Sequence, residues 1–68
     1  MIELTINGEP RTLTQPLTVA QLVEQLGYDR RKIAVELNRE VVPLPRHPEQ
    51  QLATGDAVEI VTLVGGGS

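Results

Sequence analysis

Residues 57–64 read Ala57-Val58-Glu59-Ile60-Val61-Thr62-Leu63-Val64, the most apolar segment of the chain. A run this long and this apolar predicts a central strand with a neighbour on each side rather than an edge strand. Thr54-Gly55-Asp56 is the turn that leads into it. A strand with two neighbours cannot be satisfied by the segment just before it alone, so the rest of the chain has to supply the other partner.

Moving outward, Ile2 to Asn7 alternates strictly, with Ile2, Leu4 and Ile6 on one face and Glu3, Thr5 and Asn7 on the other, the pattern of a half-buried strand. Asn7-Gly8 tolerates the positive φ angles of a type I′ hairpin turn, so the chain doubles back into a more polar strand, Glu9 to Thr14. Leu13 of that strand points inward, and Pro10 places it at an edge. A second alternating run, Ile33 to Asn38, buries Ile33, Val35 and Leu37 and turns at Asn38-Arg39 into a short strand, Glu40 to Val42. Pro43, Pro45 and Pro48 make residues 43–50 an irregular crossover with at most one 3₁₀ turn.

Between these hairpins the period changes. Val19, Leu22, Val23 and Leu26 have the i, i+3, i+4, i+7 spacing of an amphipathic helix over about 18–26. Thr18 and Gln21 form a capping box, Leu17 and Leu22 a hydrophobic staple, and Gly27 a left-handed stop. The order is therefore β-β-α-β-β-β. A parallel pairing of the last strand with the first needs a long crossover, which the helix and loops supply. The predicted class is α+β, a mixed four- to five-stranded sheet with one helix packed across it, which is the ubiquitin-like β-grasp arrangement.

Composition narrows the function. The chain has 68 residues, 40% hydrophobic but 1% aromatic, so its core must be built from Leu, Val and Ile. A core of this size rarely supplies more than about 3–5 kcal/mol, too little to hold a strained catalytic cavity, and a binding or carrier module is expected. There is no cysteine and one histidine, His47, which leaves no thiolate chemistry and no histidine-based metal site. The net charge of −3 has the wrong sign for a nucleic-acid partner. No leader pattern opens the chain and no run of 18 apolar residues occurs, so a cytoplasmic protein away from membranes is expected.

The end of the chain carries the chemistry. A folded body over residues 1–64 is expected to give way to a flexible tail over 65–68, Gly65-Gly66-Gly67-Ser68. Glycines can enter a slot too narrow for a Cβ, and four extended residues reach only about 13 Å, so a partner must dock on the body itself. If Val58, Ile60 and Thr62 face the helix, then Glu59, Val61 and Leu63 point away from it, beside Glu3 and Thr5, as the docking row. Arg30, Arg31 and Lys32 read as a solvated basic turn, His47 as a solvent-facing loop residue, and Tyr28 as cover for the helix end.

The segments "MIELTINGEP" (1–10), "TVAQLVEQLG" (18–27), "IAVELNREVVP" (33–43) and "GDAVEIVTLVGGG" (55–67) together resemble the ThiS-type sulfur carriers of thiamine biosynthesis, over essentially the whole chain. The resemblance implies a carrier that is not itself an enzyme and binds no cofactor. Its C-terminal glycine, matched to Gly67 of the Gly66-Gly67 pair, is adenylated by an E1-like adenylyltransferase that uses ATP. It is then converted to a thiocarboxylate with sulfur from a cysteine desulfurase or rhodanese-type donor. Thiazole synthase receives that sulfur. Ser68 departs from the family pattern: if native, it masks the carboxylate and requires a processing protease. Three alternatives stand beside this reading: the sulfur carrier subunit of molybdopterin synthase, a ubiquitin-like protein modifier, and a non-catalytic β-grasp interaction domain.

Overall fold

The computed structural model describes residues 1–63. Five strands, β1 (Ile2–Ile6), β2 (Glu9–Leu13), β3 (Ile33–Leu37), β4 (Glu40–Val42) and β5 (Ala57–Thr62), and one helix, α1 (Val19–Gln25), follow the expected order. The sheet runs β2-β1-β5-β3-β4, with β5 at its centre, parallel to β1 and antiparallel to β3. This is the β-grasp arrangement, and β2 with Pro10 is an edge. β5 ends at Thr62, two residues short of the expected boundary, although the Leu63 N–H still donates to the Lys32 carbonyl at 2.8 Å. Val64 and the tail Gly65 to Ser68 lie outside the described residues, and with them the expected division at residue 64.

Both hairpins turn as their sequences require. Asn7 and Gly8 have φ of 52° and 83°, and Asn38 and Arg39 have 52° and 73°. All four sit in the left-handed region that a type I′ turn needs at its two central positions. Asn38 also ties the hairpin to β5: its N–H donates to Ala57 O, its Oδ1 accepts from Ala57 N, and its Nδ2 donates to Asp56 Oδ1.

The helix is short, and both its ends are closed. Thr18 Oγ1 accepts from Gln21 N while Gln21 Oε1 accepts from Thr18 N, the reciprocal capping box. The Val19 and Ala20 N–H groups, which have no partner within the helix, donate to Gln50 O and His47 O of the proline-rich crossover. At the other end Gly27, at φ 84°, donates to Glu24 O and Tyr28 to Val23 O, which is a Schellman motif. Val19, Leu22 and Val23 are buried with Leu4, Ile6, Leu17, Ile33, Val35, Leu52, Val58 and Ile60 in one core, against which Leu26 is only partly buried.

His47 departs from expectation: it is buried, not solvent-facing, with 2% of its surface exposed. The 3₁₀ turn Leu44–Arg46 folds the crossover back so that His47 Nε2 lies 2.9 Å from Val42 O. A carbonyl can only accept, so Nε2 carries the proton. A loop rich in proline reads as solvated in one dimension, but this one lies over the helix N-terminus and uses its own carbonyls there. The basic run is also more ordered than a plain turn: Arg30–Lys32 is a 3₁₀ turn whose cap, Asp29, accepts from Arg31 N at 2.9 Å.

Candidate functional site

The last described residues of β5 define the site. Register places Val58, Ile60 and Thr62 on the side of Leu37, Val35 and Ile33, facing the helix. Glu59 and Val61 therefore point away from it, opposite Glu36 and Ala34. Val61 is 50% exposed and Leu63 53% exposed, and Glu59 is exposed as well. Of the other residues singled out for the site, Gly65, Gly66 and Gly67 lie outside the described residues.

The neighbours of this row differ from expectation. β1 pairs with β5 only at Thr5↔Ala57 and Ile6↔Val58, so Glu3 and Thr5 lie beside the start of β5 and not beside Glu59, Val61 and Leu63. The reason is the stagger of the parallel pair: β1 ends where the exposed half of β5 begins. The side chain of Asn7 takes over there, with Oδ1 accepting from Ile60 N at 2.8 Å and Nδ2 donating to Ile60 O at 3.4 Å. The row's direct neighbours are on β3 and at Lys32 just before it, with β4 one strand farther out.

Two residues of this outer face escaped the sequence reading. Val41 of β4, 65% exposed, pairs with Glu36 and faces outward, with Glu36 standing between it and Glu59. Its signal was the alternation in Glu40-Val41-Val42, which places Val41 opposite in facing to the buried Val42. Lys32 continues the same register and lies across from Leu63, through the bond to its carbonyl. Nothing in the sequence alone pairs residues 32 and 63.

The electrostatics of the face are graded. Arg30, Arg31 and Lys32 are exposed at the end where the chain leaves β5. Farther back along the sheet, Glu36 and Glu59 stand directly opposite each other. Asp29 pairs with the basic turn, its Oδ1 3.8 Å from Arg31 Nε. The Arg31 backbone N–H, and then the charges of Arg31 and Lys32, hold its carboxyl below the usual 3.8.

Among the described residues no group of three or more His, Asp or Glu could hold a metal ion, and no helix is long and apolar enough to cross a membrane. Among the described residues the geometry thus offers an exposed, partly apolar sheet face and no acid–base constellation. A profile of the ThiS family matches residues 4–67. The chain belongs to the ThiS family. It is 39% identical over 62 residues to the sulfur carrier protein ThiS of Thermus thermophilus, covering 91% of this chain and 95% of that one. The crystal structure of the thiamine biosynthesis protein ThiS from Geobacter metallireducens superimposes with a TM-score of 0.84 at 35% identity, covering 97% of this chain and 100% of the other. A protein named thiazole synthase, from Paramagnetospirillum magneticum, is 45% identical over 67 residues. There the match takes in 98% of this chain but spans only 21% of the longer protein.

Proposed function

We propose that this ThiS-family chain is a cytoplasmic sulfur carrier of thiamine biosynthesis that delivers sulfur to thiazole synthase from a thiocarboxylate on Gly67. The observation that carries the reading is the occurrence of the same domain, at 45% identity, inside a chain named thiazole synthase, since domains joined in one protein commonly act on each other. The carrier itself catalyses nothing and holds no cofactor. An E1-like adenylyltransferase consumes ATP to join AMP to the Gly67 carboxylate, with pyrophosphate leaving. This converts a poor electrophile into a mixed anhydride that a sulfur nucleophile attacks, with AMP as the leaving group. The sulfur comes as a persulfide from a cysteine desulfurase or rhodanese-type protein, and a thiol reductant then cleaves the resulting acyl disulfide to leave the thiocarboxylate. A glycine backbone suits both enzymes' channels because it carries no Cβ, and the absence of cysteine suits a carrier whose sulfur sits on its terminal carbonyl.

Adenylation needs a free carboxylate, so the form ending at Ser68 is inert until a protease exposes Gly67. Intact mass spectrometry tests this directly. A chain ending at Gly67, given ATP, the adenylyltransferase, the sulfur donor and a thiol reductant, gains about 16 Da as sulfur replaces oxygen on the activated acyl group. The form ending at Ser68 does not, and Gly67→Ala loses most of the conversion. Failure of the Gly67-ended chain to gain this mass, or thiocarboxylate on Ser68 itself, overturns the assignment.

A further inference from the structure

Half of the chain's six basic residues are consecutive, Arg30, Arg31 and Lys32, in a protein whose other charges are three basic and nine acidic. The fold puts this trio at one place of consequence, beside the point where the chain leaves β5, with the Lys32 carbonyl bonded to Leu63 N. The turn is held in shape: Asp29 caps it through Arg31 N, and Lys32 N donates to Asp29 O at 2.8 Å. Only Arg31 has an ion-pair partner among the described residues. Next along the outer face come Leu63, Val61 and Ala34, and beyond them the facing pair Glu36 and Glu59, with Val41 beside Glu36. Like charges directly opposite on neighbouring strands destabilise a sheet, so this pair opposes the fold in the free protein.

We propose that the outer face of β5, β3 and β4 is a charge-graded docking surface, basic where the tail leaves it and acidic at its far end, that orients a protein partner of the opposite grading. Such a partner presents acidic side chains beside the mouth of the slot that receives the tail, an apolar ridge over Val61 and Leu63, and a basic rim over Glu36 and Glu59. Resting on the function proposed above, that partner is thiazole synthase. A small anion fits the face less well, because three side chains fanning from a single 3₁₀ turn do not converge on one point, and a phosphate would leave the apolar row uncovered. Grading serves orientation: charges of opposite sign at the two ends favour the one docking pose that points the short tail into its slot, and rim charges act mainly on the rate of productive encounter.

The test uses a chain ending at Gly67 and purified thiazole synthase, with association rates and Kd measured at low and high salt beside thermal melts. Arg30→Glu/Lys32→Glu slows association about tenfold at low salt, and the difference shrinks as salt screens it. Glu36→Gln/Glu59→Gln raises Tm by removing the opposed carboxylates yet weakens binding several-fold, a combination that a structural role for those residues does not produce. Wild-type binding with both double variants equal to it, or equally salt-insensitive, overturns the grading and leaves the carrier function standing. A wild-type chain that acquires the thiocarboxylate but does not bind the synthase overturns both the grading and the choice of thiazole synthase as recipient. Concentration-dependent dimers in sedimentation, abolished by Val61→Asp, assign the face to a second copy of this chain and overturn the proposal as well.

Discussion

Asn7 acts at two levels through one side chain. Its backbone makes the first left-handed step of the β1–β2 turn, and its amide satisfies the Ile60 N–H and C=O where β1 no longer can. Asn7→Ala removes both partners and is expected to cost about 1–3 kcal/mol, read as a lower urea midpoint together with faster hydrogen exchange at the Ile60 amide. Asn7→Gly keeps the turn but not the bonds, so it falls short of wild type in the same exchange measurement. Asp29 is the residue with a pH signature. Its folded pKa is lowered below 3.8, chiefly by the Arg31 N–H, so the ionised form is the one that steadies the 3₁₀ turn. That contribution is complete well above pH 3.8 and is lost as pH falls through the lowered value. Melts of wild type and Asp29→Ala are accordingly expected to differ near neutral pH and converge in strong acid, and a gap that persists there would show that the carboxylate charge is not the cause.

At the scale of elements, α1 is a helix too short to stand alone, and its stability comes from its buried face and its closed ends. Leu22, 2% exposed, lies at the centre of that face, whereas Leu26 is the C-cap residue and only packs against the margin of the core. Leu22→Ala is expected to cost about 2–5 kcal/mol, close to the whole stability of a domain this small, and to leave the chain largely unfolded by circular dichroism. Leu26→Ala costs less, so equal losses at both positions would misplace the helix. The periodicity of residues 19–26 marked both leucines alike. It could not tell them apart, because burial at the last turn depends on how the Schellman motif turns the chain away from the sheet. The His47 loop was misread for a similar reason: its prolines correctly excluded a strand, but they carried no information that the loop would lie over the helix N-terminus.

For the molecule as a whole, the question is whether the face can be altered without altering the fold. Val61 and Leu63 lie on the side of the sheet away from the core, so Val61→Asp and Leu63→Asp are expected to melt near wild type while binding thiazole synthase and the adenylyltransferase more weakly, as apolar anchors at an interface do. Unfolding of both variants would mean that these side chains serve the core. On the proposed function the two enzymes would use the face for different steps, and a variant that loses sulfur loading but not synthase binding would separate them.

Alternation and helical periodicity, the capping residues at 18 and 27, the Asn-Gly turn and the apolar run at 57–64 were enough to determine the order of elements and the central position of β5, while the outward facing of Val61 and Leu63 was one of two registers until the strand pairing fixed it. The order and the central position follow from local geometry, where side chains repeat every two or every 3.6 residues. The matched segments of the sequence likewise pointed to the ThiS family. Tertiary structure alone decided the stagger of β1 against β5, the burial of His47 and the placing of Lys32 beside Leu63. These are relations between residues far apart in the chain, set by where strands end and how loops return over the core, and no periodicity within a single segment encodes them.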